Sequence, residues 1–161
     1  MIRPMEVKDL EWVRNERNRI ENNMWFRQDH DITQQEQVKW FFNTTMKSFI
    51  IEDNRGIVAL SNFDDTAKKC EFSIMVSPEN RGKGYARKAL RELLEYAFEK
   101  LGMNMVYSDV FFGNPAMSLY TGLGFITYGI LPNWYFKDNR YISSTVIAIT
   151  KDEYNSLKQT V

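Results

Sequence analysis

Ser77-Pro78-Glu79-Asn80-Arg81-Gly82-Lys83-Gly84-Tyr85-Ala86 stands between a strand-like run and a strongly amphipathic helical segment. Its two glycines let the backbone come close to a ligand. The amide N–H groups of a helix's first turn have no internal partners and lie at the positive end of the helix dipole. Such a turn binds anions, and Arg81 and Lys83 add positive charge to it. A pyrophosphate fits this description. The Walker pattern is absent, since no Ser or Thr follows Gly82-Lys83 and the earlier glycine is lacking. The third glycine of the dinucleotide fingerprint would fall on Arg87. ATP-type and NAD-type sites are therefore both disfavoured.

Working outward, the turn is followed by Ala86, Ala89, Leu90, Leu93, Leu94, Ala97 and Leu101 on one helical stripe, closed by Gly102. It is preceded by a strand from Ala67 to Val76, ended by Ser77-Pro78. Phe49-Ile50-Ile51 and Ile57-Val58-Ala59-Leu60 flank Asp53-Asn54-Arg55-Gly56, a hairpin signal. Further upstream, Val7 to Ile20 reads as a polar helix with Leu10, Val13 and Arg17 on one side. Thr33 and Glu36 form a capping box for a second helix carrying Val38, Phe41, Phe42 and Thr45. Downstream, Met105 to Val110 is a strand. Asn114 and Pro115 supply an N-cap and first position for a short helix that Gly122 and Gly124 end. Phe125–Ile130 and Tyr141–Ile149 read as strands joined by a long aromatic loop, and Lys151 to Lys158 as a terminal helix. The alternation predicts one α/β layered domain over residues 1–161.

Composition narrows the function classes. With 161 residues, 43% of them hydrophobic, the chain can bury one core and is not a disordered segment. Twenty-one basic residues balance twenty-one acidic ones, which gives no reason to expect nucleic acid or an anionic membrane as partner. The single cysteine, Cys70, excludes an internal disulfide and reads as a small core residue. No apolar run reaches the roughly 20 residues of a membrane span, and the first residues lack a signal-peptide pattern. The expectation is a cytoplasmic protein.

Arg81 to Ala86 resembles the Q/R-x-x-G-x-G/A motif of the GNAT acetyltransferase superfamily. Asn114 to Phe125 resembles its second signature, N-x-x-A-x-x-x-Y followed by G-F. Ala86 takes the small last position of the first motif, which the family's pattern allows. Ile2-Arg3-Pro4-Met5 is similar to the family's first strand, and Trp12 to Trp40 to its two-helix acceptor region. Trp12-Val13-Arg14-Asn15 and Trp134 to Tyr141 resemble a branch that includes ribosomal-protein, spermidine and nucleotide-amino-sugar acetyltransferases.

The resemblance implies a GNAT-type domain. Its centre would be a mixed, mostly antiparallel sheet of six to seven strands with helices on both faces. It implies acetyl-CoA as cosubstrate and no metal. The coenzyme would meet Ile74, Met75, Val76, Arg81, Gly82, Lys83, Gly84, Tyr85, Ala86, Asn114 and Tyr120. A β-bulge between Phe72 and Val76 would free amides of Met75 or Val76 toward the thioester, and a homodimer is possible.

Acetyl transfer to an amine needs a neutral amine, donors for the oxyanion and a proton for the leaving thiolate. Tyr120 is the candidate acid, because a phenol and a thiol have similar basicity. Glu71 is the candidate base. It alternates with Cys70 and Phe72 and so faces away from them. Asp109 or a water chain are alternatives. His30 lies in an acidic loop, and its neighbours favour the protonated ring.

The acceptor is a small-molecule or peptide primary amine. Trp25, Phe26, Trp40, Phe41 and Trp134 to Phe136 could stack on a sugar or base, while Asp29, Asp31, Asp64 and Asp65 could attract a cation. This reading places a protein N-terminus or an amino sugar ahead of a polyamine or aminoglycoside. A non-catalytic acyl-CoA-binding module would keep the turn but has no use for Tyr120.

Overall fold

The computed structural model describes residues 1–160. Seven strands form one sheet in the order β1-β2-β3-β4-β5-β7-β6. They are β1 (Ile2–Pro4), β2 (Lys47–Ile51), β3 (Gly56–Asp64), β4 (Lys69–Val76), β5 (Met105–Phe111), β6 (Ile126–Lys137) and β7 (Arg140–Thr150). Neighbours are antiparallel except β4 and β5. The helices are α1 (Leu10–Asn18), α2 (Ile20–Asn23), α3 (Gln34–Asn43), α4 (Tyr85–Glu95), α5 (Met117–Thr121) and α6 (Lys151–Gln159). α4 runs on into a π-helical turn, Tyr96–Lys100.

Consecutive residues of β2 show why helices cover both faces. Ile50 and Ile51 are both fully buried, yet they point to opposite sides of the sheet. Ile51 joins the larger core with Leu90, Leu93 and Phe98. Ile50 joins a smaller one with Met5, Leu10 and Val13, against which Trp40 and Phe41 pack. The apolar stripe of α4 supplies the first core, and α1 and α3 close the second. This is the mixed sheet that the resemblance implies.

The parallel pair positions the site. β4 and β5 pair only from Lys69↔Met105 to Glu71↔Tyr107. Beyond Glu71 the two strands part, so Phe72 to Val76 have β3 on one side and an opening on the other. Successive amides of a strand alternate between its edges, so some of those in Phe72–Val76 face the opening.

Several sequence expectations need correction. The bulge is not on β4: its pairing with β3 is regular from Val76 to Glu71, and the register shifts between Ser61 and Asp64 of β3, where Asn62 has φ 49°. β4 starts at Lys69 rather than Ala67, because Asp64 Oδ1 accepts from the amides of Thr66 and Ala67 and turns the chain there. The aromatic loop is the far half of a twelve-residue strand, β6, meeting β7 through a turn at Asp138-Asn139. Pro132 lies within this strand, which an edge position with one free row of N–H groups tolerates. In α3 the buried side chain is Gln37, while Val38 and Phe42 are exposed. The Thr33–Glu36 capping box forms as expected.

Candidate active site

The gap between β4 and β5 opens into a cleft of about 1240 Å³. That exceeds the roughly 300–1,000 Å³ of a single small-ligand pocket, so it has room for two substrates. One wall is the turn leading into α4, another is α5, and the 24–32 segment with α3 lies across the opening.

In the turn, Gly82 and Gly84 adopt positive φ of 73° and 84°, and Gly84 is the N-cap of α4. A Cβ at either glycine would meet nothing within 4 Å, so the backbone lies open to a ligand. Arg81, Gly82, Gly84, Tyr85 and Ala86 line the cleft, and Lys83 is exposed outside it. The Arg81 guanidinium is turned inward. Its Nε donates to Val76 O at 3.2 Å and its Nη2 to Glu21 O at 3.0 Å and Asn22 Oδ1 at 2.5 Å. It therefore braces the turn against β4 and α2. The Tyr85 ring carries the Arg55 guanidinium 4.4 Å from its centroid.

Arg87, which the sequence reading took only as a missing glycine, also lines the cleft. It donates to Gly122 O at 3.2 Å and so ties the start of α4 to the end of α5.

Asn114 lies in the cleft wall, but its Oδ1 accepts from Ala116 N at 2.9 Å, and α5 itself starts only at Met117. Asn114 caps a turn ahead of the helix rather than the helix. The signature's Asn stands seven residues before its Tyr. In this chain that position is Gly113, with φ 83°, and Asn114 comes one later.

Tyr120 is 5% exposed and lines the cleft. Its ring packs edge-on to Phe72, and its hydroxyl has no hydrogen-bond partner among the described residues. Burial pushes the phenol pKa up to about 12, so the group holds its proton at neutral pH.

Glu71 and Asp109 face the same side, opposite the α4 core. Glu71 Oε1 accepts from Arg27 Nη2 at 2.8 Å and Oε2 from Asn62 Nδ2 at 2.6 Å. The same Arg27 Nη2 contacts Asp109 Oδ1. Asp109 Oδ2 accepts from Tyr135 Oη at 2.5 Å and Ser144 Oγ at 2.9 Å. Both carboxylates are thus fully engaged, and neither is a free base while Arg27 is in place. Burial opposes the charge on Arg27, and Glu71 and Asp109 overcome it, so its pKa lies above the usual guanidinium value. Burial, reinforced by the bond to Asp109, raises Tyr135. Arg27 and Asn62 escaped the sequence reading, and Tyr135 entered it only as an aromatic that could stack on the acceptor. The one legible signal was the alternation that turned Glu71 away from the core.

His30 is an exposed residue at the mouth of the cleft, bonded to Asp29 at 2.7 Å and Glu36 at 3.1 Å; the bond to Asp29 leads in raising its pKa. Cys70 is buried, and burial lifts its thiol to about 12. Among the described residues no cluster of His, Cys, Asp or Glu could hold a metal ion, and no helix is long and apolar enough to cross a membrane.

Comparison with known proteins bears on this geometry directly. Residues 1–126 match the acetyltransferase (GNAT) domain family. The spermidine N(1)-acetyltransferase of Vibrio cholerae is 29% identical over 162 residues, covering 95% of this chain and 94% of that protein. Its Escherichia coli K12 counterpart is 27% identical over 165 residues, covering 95% and 87%. The crystal structure of the Vibrio cholerae spermidine N-acetyltransferase with CoA and spermine superposes with a TM-score of 0.88, at 26% identity and 96% and 97% coverage. A split sheet, a glycine turn at the head of α4 and a protonated phenol beside them suit a thioester and an amine. The chain belongs to the GNAT acetyltransferase family and is an acetyl-CoA-dependent N-acetyltransferase.

Proposed function

We propose that this chain acetylates a polyamine, in place of the protein N-terminus or amino sugar that the sequence alone favoured. The observation that carries the reading is the pair of carboxylates, Glu71 and Asp109, converging on one cation in the wall of the cleft. An acceptor with several ammonium groups suits such a wall. Similarity across 95% of the chain to spermidine acetyltransferases supports the same acceptor.

In this reading the free amides of Gly82 to Ala86 hold the coenzyme pyrophosphate, with Lys83 adding charge from outside. The cleft-facing amides of Ile74 to Val76 meet the thioester arm. The neutral amine attacks the thioester carbonyl carbon, and those amides stabilise the oxyanion. The C–S bond then breaks, and Tyr120 gives its proton to the departing thiolate. The proton lost by the amine passes toward Glu71 once Arg27 has left it. Asn114 shapes the wall beside Tyr120 instead of bonding the coenzyme through its occupied Oδ1.

One observation favours a second reading. Arg17 lines the cleft, burial lowers its pKa, and it has no acid partner among the described residues. An unpaired half-buried cation suits an anionic acceptor such as a nucleotide-linked amino sugar.

Initial rates of thiol release from acetyl-CoA separate the two. Spermidine and spermine should raise the rate well above background hydrolysis. A rate raised by a nucleotide-linked amino sugar and not by either polyamine would overturn the reading.

A further inference from the structure

We propose that Arg27 is an internal stand-in for the acceptor. Its Nη2 marks where a substrate ammonium binds between Glu71 and Asp109, and the side chain leaves when the amine enters. The identity of the amine rests on the polyamine reading above; the cation site rests on its own geometry.

Each acid keeps one oxygen for a cation. Asn62 takes Glu71 Oε2, and Tyr135 and Ser144 take Asp109 Oδ2. The two remaining oxygens meet the same nitrogen atom, Arg27 Nη2. The bidentate fork of a guanidinium is therefore not used. A single nitrogen does the work, and a primary or secondary ammonium has enough N–H donors to replace it. The Tyr135 ring lies 5.0 Å from the guanidinium carbon, presenting an aromatic face that an alkylammonium also favours.

The elements differ in how firmly they are held. The acids stand on β4 and β5 with side chains 11% and 15% exposed, whereas the Arg27 side chain is 48% exposed and springs from the irregular segment between α2 and α3. Two shielded carboxylates without a cation are costly. Exchange of Arg27 for a substrate ammonium keeps the charge balanced throughout. Arg27 thus competes with every acceptor and sets a threshold that only cationic amines pass.

The test uses Arg27→Ala in the full chain. The KM for spermidine should fall about fivefold, the worth of a partly exposed ion pair in competition. Low-millimolar guanidinium should then inhibit Arg27→Ala competitively against the amine and leave the native protein unaffected. Calorimetry should show guanidinium binding to Arg27→Ala and none to native protein, and this readout stands even if polyamines are not turned over. Arg27→Ala/Asp109→Asn removes one of the two repelling acids; it should fold where the single variant does not, and should lose the affinity gain. An unchanged or higher KM in folded Arg27→Ala, or guanidinium binding equal in both proteins, would overturn the proposal.

Discussion

The rings of Tyr120 and Phe72 meet edge-on, with centroids 5.3 Å apart and planes at 73°. Phe72 is the first residue of β4 beyond its pairing with β5, so this contact fixes the phenol at the point where the sheet splits. Removing the Tyr120 hydroxyl breaks no hydrogen bond among the described residues. Tyr120→Phe should therefore leave thermal stability and coenzyme affinity unchanged, while kcat falls on the order of 10²-fold. Because the phenol pKa lies near 12, native kcat should show no alkaline decline from this group below pH 10. Unchanged turnover in Tyr120→Phe would remove it from the mechanism.

Gly84 separates charge from shape in the coenzyme turn. Its φ of 84° is one that Asn and Asp adopt most readily after glycine, and a Cβ there meets nothing. Gly84→Asn and Gly84→Asp should both fold. The aspartate should weaken acetyl-CoA binding at least roughly tenfold more than the asparagine, since only it sets a charge against the pyrophosphate. Equal affinities by calorimetry would place the pyrophosphate elsewhere.

How far this site could be read from sequence depended on the range of each interaction. The turn and α4 were legible because glycine spacing and an apolar stripe are local patterns. Glu71 was legible because Cys70 and Phe72 alternate with it. Arg27 lies 44 positions from Glu71 and 82 from Asp109, and only the folded sheet brings the three together. Asn62 reaches Glu71 through a bulge on β3 that no local pattern announces. Arg81 looked like a ligand cation because two of its partners, Glu21 O and Asn22 Oδ1, depend on where α2 docks. The aromatic half of β6 was missed because its inward face carries Tyr135 and Lys137 while its exposed face carries Trp134 and Phe136, so no apolar-in, polar-out alternation marks it.

Lys137 anchors the segment that carries Arg27. Its buried ammonium donates to Asn23 O at 2.5 Å, Asn23 Oδ1 at 2.7 Å and Phe26 O at 2.7 Å, and burial lowers its pKa. Lys137→Met keeps the apolar stem and strands these acceptors. It should destabilise the fold by about 2 kcal/mol in urea unfolding. A loss below a few tenths would mean that the 23–26 segment is held by other contacts.

Glu36 sets a pH limit on the start of α3. Bonds from the Thr33 backbone and then its hydroxyl lower its pKa from 4.5 to about 2. A depressed carboxylate stabilises the fold fully above its unfolded value, and that contribution fades as pH falls from about 4.5 toward 2. An NMR titration of the Glu36 carboxyl should give a midpoint well under 4, and a midpoint at 4 or above would mean that the capping box is open in solution.

The acceptor is tested most directly by competition in one vessel. The protein and acetyl-CoA are incubated with equal concentrations of spermidine, a ribosomal N-terminal peptide and a nucleotide-linked amino sugar, and mass spectrometry reads which one gains an acetyl group. The account predicts acetylspermidine as the main product, formed more slowly by Tyr120→Phe. Acetylation of the peptide or the sugar with spermidine left intact would contradict it.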